Sequence, residues 1–279
     1  MSDTAARIAR ALDERFGAQL PLPAGVDGLD AIARMLEHRS QRRFAPRAVD
    51  EALLRLLFAT ALSAPTKSDL QQADIVYVRD AALRAELTTL VSEAPWVPEA
   101  PVFLVFCGNH RRTRQVAEWR GKAFANDHLD AFFNAAVDAG LVLMNFVAAA
   151  EAVGLGTCPI STVRNHAQRV SELLALPDWV FPVAGMCVGW PQAAGVITPR
   201  LPLEVTVHTD RFDESNIAQK VDAYDRRRAA RVPYKKQRSV AQFGEAAFYG
   251  WSEDKARQYA KPQRTDFGAF VRGKRFKLD

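Results

Sequence analysis

His38-Arg39-Ser40-Gln41-Arg42-Arg43-Phe44 packs a histidine, three arginines and a serine into seven residues. It closes an apolar pattern at helical spacing, Leu29, Ile32, Ala33 and Leu36, and runs into Ala45-Pro46, where a helix does not readily continue. Guanidinium groups crowded at a helix end repel one another. Such a cluster belongs either on an open solvated face or around a bound anion. Arginine suits the second role because its planar fork meets two phosphate oxygens at once. These residues alone leave both readings open.

Upstream, Ala5 to Phe16 reads as a short helix, and Pro21-Leu22-Pro23 with Gly25 as a linker. Downstream, Asp50 is placed to cap a helix through Leu53, Leu57 and Ala61 that stops before Pro65. Val49 and Leu54 stand where a hydrophobic staple would place them. A polar loop, Ala64-Pro65-Thr66-Lys67-Ser68-Asp69, leads through Leu70-Gln71-Gln72 to a strand at Ile75-Val76-Tyr77-Val78, after which Asp80 caps a helix from Ala81 to Val91. The continuous apolar run from Val102 to Cys107 predicts a strand buried on both faces.

A charged segment, Asn109 to Lys122, follows, with His110, Arg111, Arg112 and Arg114 reading as a solvated turn. The next helix, from about Asn126 to Val153, is apolar almost all round through Phe132, Phe133, Val137, Leu141, Met144, Phe146 and Val147. Such a helix belongs in a core or at a subunit interface. Gly154-Leu155-Gly156 reads as its C-cap. Thr157 to Arg164 is a short extended segment of small residues whose amides could approach a flat ligand, followed by a helix through Val170, Leu173 and Leu174. Val180 to Gly189 is a third buried strand and Leu203 to His208 a candidate fourth. Beyond Asp210 the chain is helical and basic, then irregular. Helices outnumber strands, which predicts an α+β or α/β fold.

With 279 residues, 48% of them hydrophobic and 25% charged, the chain can bury a full core. Its longest apolar stretch, Ala135 to Val153, is interrupted by Asp138, Asn145 and Glu151, which argues against a membrane span of roughly 18 to 20 residues. Asp3, Asp13 and Glu14 argue against a signal or transit peptide. Cys107, Cys158 and Cys187 are odd in number and widely spaced, so neither a disulfide framework nor a zinc site is predicted, and the compartment is the reducing cytosol. The net charge of +5 is uneven: residues 220–279 hold 16 Lys/Arg against 7 Asp/Glu, and residues 1–219 hold 21 against 25. A basic tail on a mildly acidic body suits an anionic partner.

No GxGxxG follows a strand, and GxxxxGK[ST], HExxH and GxSxG are absent. Cys158 with His166 lacks a nearby acid or oxyanion device, so Cys158 reads as a packed small residue. Thr198-Pro199-Arg200, after a strand and a Gly-containing turn, could bring Arg200 toward an anion.

Together these pieces resemble the nitroreductase superfamily, and its larger NADPH-preferring branch of nitroreductases and flavin reductases in particular. The residues that carry the resemblance are His38 to Phe44, Ser63-Ala64-Pro65-Thr66-Lys67-Ser68-Asp69-Leu70-Gln71, and Gly154-Leu155-Gly156-Thr157 with Pro159-Ile160 and Val163-Arg164-Asn165. Leu174-Ala175-Leu176-Pro177, Gly189-Trp190-Pro191 and Pro199-Arg200-Leu201-Pro202 complete the series. Order and spacing hold from about residue 29 to 210, with Tyr224-Asp225 and Trp251-Ser252 beyond.

The resemblance implies an α+β fold, a three-layer arrangement with a central mixed sheet flanked by helices. It also implies a swapped C-terminal segment and a homodimer. Residues 1–27 would be an N-terminal extension, 28–212 the FMN-binding core and 213–279 a basic C-terminal extension packing on the core or a partner subunit.

By the same resemblance, Arg39, Ser40 and Arg42 would hold the FMN phosphate and ribityl chain with His38 beside them, and Arg200 would add a further positive group. Pro65, Thr66, Lys67 and Gln71 would contact the isoalloxazine and ribityl side; backbone at Pro159, Ile160, Ser161 and Thr162 would cover the ring and donate a hydrogen bond near N5. No catalytic side chain and no metal are implied. Hydride would pass from NADPH or NADH to the flavin and on to a nitroaromatic, quinone or flavin in a ping-pong scheme. Arg226 to Arg231 and Lys235 to Arg238 are a pool for the 2′-phosphate of NADPH.

Four positions depart from the branch. Thr198 stands where many members place a lysine, Ala94 where a glutamine often contacts flavin, and Ser161-Thr162 in place of a glycine pair. Two alternatives remain beside the main reading. One is a flavin reductase supplying reduced FMN to a monooxygenase. The other, of a different class, is a nucleic-acid or membrane-surface binder using the tail, although the main reading expects neither partner.

Overall fold

Residues 3–23 and 25–279 are described by a computed structural model. Two units share the chain: Met1–Arg39 with Val196–Gln263, and Ser40–Gly195 with Arg264–Asp279. In chain order the elements are α1 (Asp3–Phe16), α2 (Leu29–Leu36), α3 (Glu51–Leu62), β1 (Ala73–Tyr77), α4 (Ala81–Leu90), β2 (Val102–Asn109), α5 (Arg111–Trp119) and α6 (Leu129–Ala152). They continue as β3 (Gly156–Ile160), α7 (Ala167–Leu173), β4 (Val180–Gly189), α8 (Leu203–Thr206), α9 (Ile217–Arg231), α10 (Val240–Phe243), α11 (Trp251–Tyr259) and α12 (Phe267–Gly273).

The second unit is built on a four-stranded sheet of order β1-β2-β4-β3, antiparallel at every pair. Every residue of β2 is buried. Because side chains alternate along a strand, Phe103, Val105 and Cys107 enter one core with Leu87, Val97, Val163 and Val170. Val102, Leu104 and Phe106 enter the opposite core with Leu54, Leu57, Val142 and Phe146. The layers are therefore α3 and α6, the sheet, then α4 and α7, as a strand buried on both faces requires. Asp50 and Asp80 cap α3 and α4, accepting from Leu53 N at 2.9 Å and Leu83 N at 2.7 Å. Val49 packs with Leu54 in one core, as a staple would.

Three expectations need correction. The named strands are not mixed; among the described residues the parallel contact is the isolated bridge Ser40↔Thr157. The fourth strand is Gly156–Ile160 rather than Leu203–His208. Pro159 has no N–H to donate, which suits β3 to the sheet edge it occupies. Leu203 and Val207 alternate like a strand but are exposed and have no sheet to join, and Leu203–Thr206 is one helical turn. The supposed solvated turn at His110 is a buried helix entry: Asn109 Oδ1 accepts from Arg111 N at 2.9 Å and Arg112 N at 3.3 Å, and His110 is 4% exposed. Its ring stands edge-on to Phe124 at 5.3 Å. Residues 264–279 pack on the second unit. Trp179 N donates to Lys274 O at 2.9 Å, and Phe276 packs with Phe181 and Phe270.

Helix α6 is long and apolar enough by composition to cross a bilayer, yet one face is core: Ala135, Ala139, Val142, Phe146, Val147 and Ala150 are buried, and so is Asp138. The other face leaves Leu129, Phe133, Val137, Leu141 and Met144 exposed at helical spacing.

The first unit joins α1 to α2 through Ile8, Leu12 and Ala33, backed by Phe16, Leu29 and Leu36. Arg7 holds this pair from the side, 2.6 Å from Asp30 and 2.7 Å from Glu37. Much of the basic tail is engaged internally: Arg238 pairs with Asp254 at 3.0 Å, Arg257 is buried against Glu253 at 2.6 Å, and Arg231 pairs with Asp13.

Burial first, then repulsion from Arg114, pushes the His110 imidazole down from 6.5 to about 4. A folded value below the unfolded one means that the unfolded chain takes up the proton first. His110 therefore contributes its full stability above pH 6.5 and loses it as pH falls toward 4. Urea unfolding at pH 7 and 4.5 should cost the native protein about 2 kcal/mol more than His110→Gln; equal losses in the two proteins would exclude this role.

Candidate functional site

Two chain segments form the edge of the second unit. Ser40 bridges Thr157 in parallel, Gln41 N donates to Thr157 O at 2.7 Å, and Phe44 bridges Pro191. The turn is tied on by Ala45 N to Trp190 O at 2.8 Å and Gln192 N to Arg43 O at 3.1 Å. Gly156 permits the approach, because a Cβ there would lie 2.4 Å from Gln41 Cγ. Along this extended stretch Gln41 and Phe44 are buried while Ser40, Arg42 and Arg43 are exposed. The opening arginine cluster is thus a sheet-edge segment beside β3, beyond the end of α2.

Arg42 lies over the Trp96 ring, 5.1 Å from its centroid. Burial raises the Cys158 thiol above its usual range, while Arg42 and Trp96 pull the other way. Cys158 is a core residue and a poor nucleophile. Burial pushes Cys107 and Cys187 up to about 12.

The loop after α3 is held from beneath by Asp138, which accepts from Lys67 N at 3.1 Å, Gln72 N at 3.2 Å and Gln72 Nε2 at 3.3 Å. Thr66 Oγ1 accepts from Gln71 N at 2.8 Å, and Ser68, Asp69 and Gln71 adopt left-handed φ. The Lys67 and Gln71 side chains stay exposed on this constrained backbone. A cavity of about 190 Å³ opens beside them, lined by Thr66, Gln71, Asp74, Arg112 and Asp138 among others.

Past β3, Ser161 leads into a single turn, Thr162–Arg164. Arg264 holds it, donating to Ser161 Oγ at 3.0 Å and Asn165 Oδ1 at 2.7 Å.

His38, Arg39 and Arg200 belong to the first unit. Arg39 Nε is buried without a partner, and Arg200 Nη1 reaches the carbonyls of Thr198 at 3.1 Å and Pro199 at 3.4 Å.

Among the described residues none of Arg39, Arg42, Lys67 and Arg200 forms an ion pair. In the second unit Thr157 Oγ1 and Thr162 Oγ1 are buried without partners. Buried polar atoms without partners are otherwise costly to hold, so in the second unit the Thr157 and Thr162 hydroxyls suit a ligand that hydrogen-bonds to them.

Residues 35–190 match the Nitroreductase family, and residues 198–279 match the family's C-terminal domain. The chain belongs to the nitroreductase family. Among curated members it is 34% identical over 199 residues to an FMN reductase [NAD(P)H] of Bacillus subtilis, spanning 70% of this chain and 80% of that one. It is 35% identical over 191 residues to an oxygen-insensitive NADPH nitroreductase of Salmonella typhimurium, spanning 67% and 78%. Among solved nitroreductase-fold structures, NfrA2 of B. megaterium aligns with TM-score 0.80 at 30% identity, covering 89% of this chain and 98% of that one. The NADPH:FMN oxidoreductase from Vibrio harveyi complexed with NAD+ aligns with TM-score 0.73 at 30% identity, covering 88% and 97%. These likenesses agree with the α+β nitroreductase fold.

Within the second unit of this nitroreductase, Ser40 and Arg42 run beside β3, which leads to Pro159, Ile160, Ser161 and Thr162; Pro65, Thr66, Lys67 and Gln71 sit on the loop held by Asp138. Sequence reasoning placed Thr157 at the start of the extended segment but gave its side chain no role, and it missed Trp96, Asp138 and Arg264. Of these three only Asp138 left a sequence signal, a carboxylate inside an apolar helix.

All three donors at Asp138 are N–H groups, so Asp138→Asn would set an amide NH₂ against at least one of them. Equilibrium denaturation should register a loss of about 2 kcal/mol, with faster hydrogen exchange at Lys67 and Gln72; unchanged stability and exchange would refute the anchoring role.

Proposed function

We propose that this nitroreductase-family chain is an FMN-dependent NAD(P)H oxidoreductase that reduces small acceptors, nitroaromatics, quinones or flavins, by two-electron transfer. The observation that carries the reading is the edge pairing of Ser40 with Thr157, which runs the arginine stretch along the strand leading to Pro159–Thr162. It is supported by relatives named FMN reductase, NADPH-flavin oxidoreductase and NADPH nitroreductase.

In this reading Arg39, Arg42 and Arg200, with His38 and Ser40, hold the FMN phosphate and ribityl chain. Arg forks meet the phosphate oxygens, and the unpartnered Arg39 Nε supplies a donor already inside the protein. Pro65, Thr66, Lys67 and Gln71 present a rigid loop to the ring and ribityl side. Backbone at Pro159, Ile160, Ser161 and Thr162 covers the ring, with the Thr157 and Thr162 hydroxyls available to a polar edge. When bound, FMN supplies the redox chemistry, accepting hydride from NAD(P)H and delivering it to the acceptor. The chain contributes binding, orientation and exclusion of water, and no side-chain acid or base is assigned. Arg226, Lys235 and Lys236, unlike Arg231 and Arg238, form no ion pairs among the described residues and are the candidates for a nicotinamide donor's 2′-phosphate.

The working form is a homodimer. Leu129, Phe133, Val137, Leu141 and Met144 make a continuous apolar ridge on α6, with Phe133 60% exposed, which suits a second copy of the chain. The cavity beside the Lys67 loop, about 190 Å³, is below the roughly 300 Å³ of a cofactor pocket, in keeping with a site completed by a partner. Three buried free thiols suit a cytoplasmic setting.

The names of the relatives also favour flavin reduction, which the same site would perform by delivering reduced FMN to a monooxygenase. Steady-state turnover with NADPH and NADH against a nitroarene, a quinone and free FMN separates these uses.

Purified protein should carry flavin absorbance and release FMN on denaturation; a colourless protein that cannot be reconstituted would sink the proposal. Arg42→Ala should weaken FMN binding about tenfold or more, the loss of a charge-assisted contact, read by quenching of flavin fluorescence; an unchanged Kd would remove Arg42 from the phosphate site. Phe133→Asp should halve the mass seen by light scattering, whereas an unchanged mass would place the interface elsewhere.

A further inference from the structure

Helix α1 buries Ile8, Ala11, Leu12 and Arg15, the i, i+3, i+4, i+7 stripe of an amphipathic helix. Three of these are ordinary core residues. The fourth is an arginine only 5% exposed, and a guanidinium buried to that extent must find acceptors. Arg15 finds them on main chain: Nε donates to Leu36 O at 2.5 Å, Nη2 to His38 O, and Nη1 to Thr198 O at 3.3 Å. Its own carbonyl accepts from Arg200 N at 2.7 Å and from Arg227 Nη1 at 3.1 Å. Arg227 Nη2 in turn donates to Arg200 O at 2.7 Å.

Gly17 is a second, independent mark of the same construction. It takes φ +64, and a Cβ there would sit 2.5 Å from Arg227 Cδ. Any other residue would be strained in backbone and would collide with the arginine that crosses the helix end to reach Arg15 and Arg200. Tyr224 Oη adds a bond to Pro199 O at 3.2 Å. Within the first unit, Arg15 therefore holds the backbone just before Arg39 and just before and at Arg200, two cationic side chains that have no ion-pair partners among the described residues.

We infer that Arg15 is a positioning residue, which makes α1 the clamp that presents Arg39 and Arg200 to a single phosphate group. Like charges brought together separate unless their backbones are held, and a rigid fork whose donors are spread over three nitrogens reaches three separate carbonyls, where a lysine's three N–H groups radiate from one atom. The inference rests on the FMN reading, and gives residues 1–27 a function in cofactor selection.

The test compares FMN with riboflavin, which has the same ring and ribityl chain but no phosphate. Apparent Kd for each is measured by fluorescence quenching in the full-length native protein, Arg15→Ala, Arg15→Lys and Arg227→Gln, with urea midpoints recorded for all four. The preference for FMN over riboflavin should fall about tenfold in Arg15→Ala, the loss expected when a charge-assisted contact to the phosphate is misplaced. Arg15→Lys should recover part of it, Arg227→Gln should shift it in the same direction, and riboflavin affinity should hold. A lower urea midpoint with an unchanged FMN-to-riboflavin ratio would reduce Arg15 to a structural residue and overturn the inference. If Arg15→Ala does not fold, an unchanged ratio in both Arg15→Lys and Arg227→Gln overturns it equally. Native protein with no preference for FMN would instead overturn the flavin phosphate reading, and the clamp with it.

Discussion

Strands β2 and β4 pair antiparallel with almost no exposed residue between them, and the second unit is arranged around that pairing. Backbone groups so buried must bond within the sheet, which leaves little freedom in register. Both faces then need cover, supplied by α3 and α6 on one side and α4 and α7 on the other. Once β4 is placed, β3 has one free edge, and the Ser40–Phe44 segment closes part of it. The position of the arginine stretch is thus a consequence of sheet packing more than of its own residues.

A second theme is the use of buried charged side chains to hold main chain. Asp138, on a helix otherwise apolar on that face, accepts three N–H groups from the Lys67–Gln72 loop. Arg15 performs the converse task in the first unit, donating to carbonyls of two distant segments of chain, Leu36 and His38 in one and Thr198 in the other. A rigid scaffold with constrained loops is what a cofactor enzyme requires, since the cofactor carries the chemistry and the protein supplies position. Neither residue needs to touch a ligand to matter.

The strong apolar runs were legible. Val102 to Cys107 and Val180 to Gly189 read as buried strands because continuous hydrophobicity at that length permits little else, and Asp50 and Asp80 read as caps because short acceptors suit exposed helix N–H groups. The short edge strand at Gly156–Ile160 was read only as extended chain, because a proline interrupts its five residues. Leu203–Thr206 shows the reverse error, an alternating pattern with no sheet to receive it. At His110 a run of arginines suggested solvent, yet Phe124 shields the ring and Arg114 stacks over both Phe124 and Trp179.

Sequence alone determined the family and the burial of the central strands, because these lie in local patterns of residue type and spacing. It could not tell which arginines were free. Arg231, Arg238 and Arg257 look as available as Arg39, Arg42 and Arg200, but among the described residues the first three meet carboxylates and the last three do not. Charge availability depends on which distant side chains arrive within a few ångströms, so only tertiary structure could separate arginines that meet carboxylates from those that do not.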